Sequence, residues 1–254
     1  MRQTILALSL SLFAGYAHAL AYYDAFADAL LSIDTITNLN NPGDNSVLSV
    51  DGNVYTENLG KTEHGNVESS YYGVIDLQSS TASDPGLLNQ VSDIHGNVYP
   101  TISGSLADTV YSSLGEFNLR NLSSTDTVQI DFSLKFNIEA NASITRPGNE
   151  NAYAEAFVRL IDTLGQVYLD QTISADAKGV LAPPHDAMDD TLLFSITLLP
   201  DTLQTSNESF NRITLNVSAR GNGESIPEPS TIFLFASGLL GMVNWSRRRR
   251  LSMF

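Results

Sequence analysis

Val128-Gln129-Ile130-Asp131-Phe132-Ser133-Leu134-Lys135-Phe136-Asn137-Ile138-Glu139 alternates apolar and polar residues without a break. Successive side chains of a strand point to opposite faces, so this pattern gathers the apolar residues on one face and the polar ones on the other. The stretch reads as a half-buried β-strand. The same test sets Leu192, Phe194, Ile196 and Leu198 against Leu193, Ser195, Thr197 and Leu199, and Ile213, Leu215, Val217 and Ala219 against Thr214, Asn216, Ser218 and Arg220. A fourth strand places Ala152, Ala154, Ala156, Val158 and Leu160 opposite Tyr153, Glu155, Phe157 and Arg159. Further upstream, Ala21, Tyr23, Ala25, Ala27, Ala29, Leu31 and Ile33 share one face, with Asp24, Asp28, Ser32 and Asp34 on the other. Alanine favours helix by propensity, but the alternation selects a strand.

Turn signals punctuate these runs: Asn41-Pro42-Gly43-Asp44, Asp51-Gly52-Asn53, Asp84-Pro85-Gly86, Pro147-Gly148-Asn149 and Gly221-Asn222-Gly223. Gly and Asn supply positive φ, and Pro presets the first turn position. Strands at this cadence with no long helical pattern predict an all-β chain, an antiparallel β-sandwich of jelly-roll-like kind. Gly-Asn-Val recurs at Gly52, Gly65 and Gly96. Its spacing fits no solenoid, and it reads as a reused hairpin start.

The two ends differ from this body. Met1-Arg2 is a positive start, Ile5 to Phe13 an apolar run, and Ala17-His18-Ala19 a small-x-small cleavage site. That is the layout of a secretory signal peptide over 1–19, read by the Sec export machinery, with a mature chain beginning at Leu20. At the other end, Ile226-Pro227-Glu228-Pro229-Ser230 precedes an uncharged run from Thr231 to Trp245, and Arg247-Arg248-Arg249-Arg250 follows. The prolines predict a stiff, extended segment that an enzyme can grip. Fifteen helical residues span ~22 Å, short of the ~30 Å hydrocarbon core, so a single helix over 231–245 suits a temporary anchor. The arginines should stay cytoplasmic, placing everything upstream across the membrane.

Pro227-Glu228-Pro229-Ser230, the apolar run with Gly238-Leu239-Leu240-Gly241, and the closing arginines together resemble the PEP-CTERM sorting signal of Gram-negative bacteria. The resemblance implies processing at or near Pro227, Glu228 and Pro229 by exosortase, a membrane-embedded cysteine transpeptidase. It also implies an inner-membrane-anchored intermediate, stopped by Arg247, Arg248, Arg249 and Arg250, that passes to the cell surface or beyond. Signal processing at Ala17 and Ala19 and tail removal would leave an exported β domain over 20–225, with the sorting tail over 226–254.

Without the two ends the chain keeps 8 Lys and Arg against 27 Asp and Glu. That acidity argues against nucleic acid or an anionic membrane surface as partner. The lack of cysteine excludes thiol catalysis and Cys-based zinc sites. His64, His95 and His185 stand apart in sequence, with no His-x-x-x-His pair, no Gly-x-Ser-x-Gly elbow and no P-loop. Asp189-Asp190 is an adjacent carboxylate pair whose members should face opposite ways before the strand at Thr191 and keep an edge or turn solvated. No catalytic residue and no metal ligand is assigned. Asp44-Asn45, Asp51, Asp93 and Asp186 are read as loop oxygens compatible with a structural Ca²⁺, without a defined ligand set; no other cofactor is expected.

These features predict a non-enzymatic, exported surface protein with a structural or adhesive role in a polysaccharide or biofilm matrix. A carbohydrate- or calcium-binding module is the alternative, the ten tyrosines being suited to stacking on sugars. A secreted hydrolase is a third reading, and it requires two carboxylates held about 5 to 9.5 Å apart.

Overall fold

A computed structural model describes residues 20–44, 46–78, 86–101, 103–145, 148–178, 185–201 and 209–226. Ala17, Ala19, the Pro227-Glu228-Pro229 motif, the 231–245 run and Arg247 to Arg250 lie outside the described residues.

Ten strands follow one another: β1 (Ala21–Asn38), β2 (Leu48–His64), β3 (Asn66–Gln78), β4 (Leu87–Tyr99), β5 (Ser105–Asn121), β6 (Val128–Ile144), β7 (Glu150–Asp162), β8 (Val167–Asp176), β9 (His185–Leu198) and β10 (Phe210–Ser225). They form two five-stranded sheets, β3-β4-β1-β6-β9 and β2-β5-β10-β7-β8, and every pairing is antiparallel. Only β3–β4 and β7–β8 are neighbours in both sequence and sheet; every other connection crosses between sheets. No α-helix occurs among the described residues, and none of their helices is long and apolar enough to cross a membrane.

The alternating stretch over 128–139 forms the first twelve residues of β6. Val128, Ile130, Phe132, Leu134 and Ile138 are buried, while the polar residues between them face outward. β1 obeys the same rule, and its register shifts between Ile33 and Thr35, where Asp34 emerges exposed. Apolar residues of both sheets meet in one core, whose burial at about 25 cal/mol per Å² of apolar surface is the main favourable contribution to folding.

Two of the turn signals are overturned. Asp51-Gly52-Asn53 lies inside β2 and Gly221-Asn222-Gly223 inside β10. These glycines make space for neighbouring side chains. A Cβ at Gly221 would stand 2.3 Å from Cδ2 of Tyr23, and one at Gly52 2.5 Å from Cδ2 of Leu77. The Gly-Asn-Val repeat is likewise no set of hairpin starts, since Gly96 is mid-strand in β4 and packs under Tyr23. Only Gly65, at φ +81°, turns the chain, carrying it from β2 in one sheet to β3 in the other. Asp189 and Asp190 lie within β9 instead of before it, although β9 is an exposed sheet edge as the solvation argument requires. Asp51, Asp93 and Asp186 also sit on strands, on β2, β4 and β9, instead of in loops.

Candidate functional site

The strand directions bring both chain exits to one end of the sandwich. β1 starts there at Ala21 and β10 finishes there at Ser225, beside the connection between β6 and β7. The Leu20 N–H donates to Thr145 Oγ1 at 2.7 Å, and the Thr145 N–H is shared between Leu20 O at 3.2 Å and Glu150 Oε2 at 2.8 Å. Ile226 donates its N–H to Asn149 O at 2.8 Å. Ser225 is buried and paired on both sides, with Ser105 and with Glu150. Residue 227 is proline, which has no N–H to continue the ladder. The clasp around Thr145, Asn149 and Glu150 thus holds Ile226, the residue one position before the Pro-Glu-Pro motif.

A second cluster lies on the outer face of the β3-β4-β1-β6-β9 sheet. Register places Asp24 between His95 on β4 and Asn141 on β6, and His185 on β9 pairs with Asn141 from the far side. One register step away, Phe26 lies between Asp93 and Glu139. His95 Nδ1 is 3.8 Å from Asp24, and His185 Nδ1 is 3.7 Å from Glu139. Burial, then repulsion from Asp93, raises the Asp24 carboxyl above the ordinary carboxylate range, against the opposing pull of His95. Burial also raises Asp93 and Asp28. The Tyr22 hydroxyl is pushed up to about 12 by burial and by Asp24, Glu139 and Asp93. Beside this cluster is a shallow depression of 390 Å³ whose lining includes Lys61, Glu68, Ser70, His95 and Asn97.

Cations are distributed unevenly between the sheets. Lys135 is the one Lys or Arg on the strands of this sheet. Arg120, Arg159, Arg212 and Arg220 all face outward from the other, where Arg212 meets Glu116 and Arg159 meets Asp170, each at 3.6 Å. Arg220 lies over the Tyr153 ring at 5.9 Å.

Of the residues considered from sequence, the structure groups His95 and His185 with carboxylates, whereas His64 lies at the end of β2 away from them. Sequence reasoning missed the Asp24–Asp93–Glu139 cluster. Its one signal was the polar face of β1, and the partners depend on strand pairings that spacing does not encode. Among the described residues no group of three or more His, Cys, Asp or Glu is arranged to hold a metal ion.

No curated protein matches the chain. A β-glucuronidase of glycoside hydrolase family 2 is similar at 10% identity over 70% of this chain and 20% of that chain, with a TM-score of 0.12. The chain therefore spans about a fifth of that protein's length, and a likeness so slight carries no argument about fold or activity. Residues 225–250, by contrast, match the PEP-CTERM protein-sorting motif, which begins inside the clasp at Ser225. That motif implies export, a membrane-anchored intermediate and exosortase as the processing partner. The last strand of the sandwich therefore runs directly into a sorting signal, and the chain carries a PEP-CTERM protein-sorting motif.

Proposed function

We propose that this protein is a non-enzymatic surface or matrix component of a Gram-negative bacterium. After Sec-dependent export and removal of residues 1–19, exosortase frees the domain over 20–225 from its short membrane helix, and the domain takes a structural or adhesive place in the polysaccharide matrix. Its sandwich is of jelly-roll-like kind. The observation that carries this reading is the sorting motif joined without a linker to the final strand. The acidic composition is compatible with a hydrated polymer around the domain.

The test is fractionation of cells making either the intact chain or one with Pro227→Ala, Glu228→Ala and Pro229→Ala. The intact chain is expected at the surface or in the medium, and the substituted chain in the membrane fraction. Identical distributions would remove the sorting reading.

One observation favours a second reading, a glycan- or cation-binding module. The outer face of the β3-β4-β1-β6-β9 sheet carries Tyr22, Phe26 and Tyr72 among Asp24, Asp93 and Glu139. Aromatic rings beside carboxylates suit a sugar ring with hydroxyls to bind, or a cation. A glycan array and melting with and without Ca²⁺ test this; no hit and an unchanged Tm would retire it.

A further inference from the structure

We infer that the end of the sandwich carrying Thr145, Asn149 and Glu150 faces the bilayer in the sorting intermediate, close enough that the processing peptidase must cut against a folded domain. This inference rests on the sorting reading and adds an orientation to it. Both membrane-directed ends of the chain leave from this one surface, through Leu20 and Ile226. Ile226 is still bonded to Asn149, and Ser225 is held between β5 and β7. Five Cα–Cα steps separate Ile226 from Thr231, where the apolar run begins. Fully extended, they reach at most ~17 Å. Pro227, the nearest residue of the motif, lies within ~4 Å of the last clasped residue. The tether therefore holds this end near the headgroups, and the opposite end, with the loop at Leu39–Asp44 and the β7–β8 turn at Leu164, points away.

Proximity to the membrane here is imposed by the tether, on a surface of mixed character where Leu106 and Ile226 are exposed beside carboxylates. Glu224 and Asp108 are exposed at this end, and carboxylates are repelled by anionic headgroups.

The chain has no cysteine, so single cysteines give a clean probe. Ser103→Cys marks the proposed membrane-facing end and Leu164→Cys the opposite end, both at exposed turn positions. Each is placed in the full chain with Pro227, Glu228 and Pro229 changed to Ala to hold it in the membrane, and labelled in spheroplasts with a bulky polyethylene-glycol maleimide. We expect Ser103→Cys to react roughly fivefold more slowly than Leu164→Cys while anchored. The two should react alike after detergent extraction, and protease resistance of the extracted domain checks that both variants are folded. A six-residue Gly-Ser insert after Ile226, adding ~20 Å of reach, should remove most of the difference. Equal labelling in a chain that is retained in the membrane overturns the orientation and leaves the sorting reading standing. A substituted chain found outside the membrane fraction with both ends equally reactive overturns both.

Discussion

The two ends of this sandwich are built from different materials. At the end where the chain enters and leaves, small residues predominate: Ala21, Ala25, Ala107, Ala140, Ala142, Ala152, Ala154 and Ala219, with Gly96, Gly221 and Gly223 beneath the Tyr23 ring and Ile94, Val98 and Ile144 as the larger aliphatic groups. At the other end Phe117, Leu119, Ile130, Phe132, Leu160 and Ile213 fill the space, and Phe132 stacks on Phe194 with centroids 4.9 Å apart. The loops differ in the same way. At the far end two buried asparagines hold the connections: Asn38 donates to Asp126 at 2.9 Å, and Asn121 donates to the carbonyls of Asp126, Leu198 and Leu199. At the near end the bonds hold the chain's own entry and exit. Apolar bulk thus stabilises the far end, while the near end depends on close backbone approach and on a clasp at the place where the sorting signal begins.

The largest expected effect tests the bulky end. Phe132→Ala should lower unfolding free energy by about 3–5 kcal/mol in urea denaturation, a large share of the roughly 5–15 kcal/mol typical of a domain. Ala154→Gly at the near end removes one methyl and adds chain entropy, for a loss of about 1–2 kcal/mol. Equal losses would break the comparison. Next in size is Gly221→Val, which drives a side chain into the Tyr23 ring and should destabilise by about 1–3 kcal/mol. In a double-mutant cycle, Tyr23→Leu should recover part of that loss despite giving up the buried bond between Tyr23 and Thr109, 2.7 Å long. Strict additivity would show that the glycines of β10 are not there for this ring.

The same contrast governs how much of the molecule was legible. β6, β7, β10 and the far half of β9 declare themselves because the inward positions in their middles are apolar, the buried polar residues Glu150, Asp162, Asn211 and Ser225 falling only at strand ends. β4 and β5 do not, because polar side chains occupy their inner faces. Gln90 donates to Leu215 O at 3.2 Å and accepts from the Ser113 hydroxyl at 2.7 Å, and Ser92 donates to Val217 O. These bonds cross from one sheet to the other, and each satisfies a group whose burial alone would oppose folding. Gly115 lies where a Cβ would stand 2.4 Å from the Gln90 amide, so a residue that reads as a strand breaker is a fitting for an interlayer bond. The sorting motif was legible in full, since it depends on order along the chain. The Asp24 cluster was not, since it depends on which strands pair.

The smallest predicted effect concerns charge on the outer face of the β3-β4-β1-β6-β9 sheet, where the two ends again differ. Near the clasp, Asp24 has its carboxyl raised by burial and by Asp93, with Glu139 adding to the repulsion, His95 opposing it, and Tyr22 and Asn141 completing its surroundings. Toward the far end, Asp131 has its carboxyl lowered by bonds from Ser195 at 2.6 Å, Thr35 at 2.5 Å and Gln129 at 2.8 Å. A raised folded pKa means that the folded state holds the proton more tightly than the unfolded chain does. Stability from Asp24 therefore falls as pH climbs from the ordinary carboxylate value through the raised one, and stays reduced at neutrality. Asp131 has the opposite sign, its contribution being present above the ordinary value and lost as pH falls through the lowered one. Asp24→Asn should accordingly gain a few tenths of a kcal/mol at pH 7, about 1 °C in Tm, and Asp131→Asn should lower Tm. Both differences should shrink as the wild-type carboxyls protonate in acid. Thermal melts from pH 3 to pH 7 decide the matter, and shifts of the same sign at neutrality would mean that the carboxylates of the two ends are not held differently.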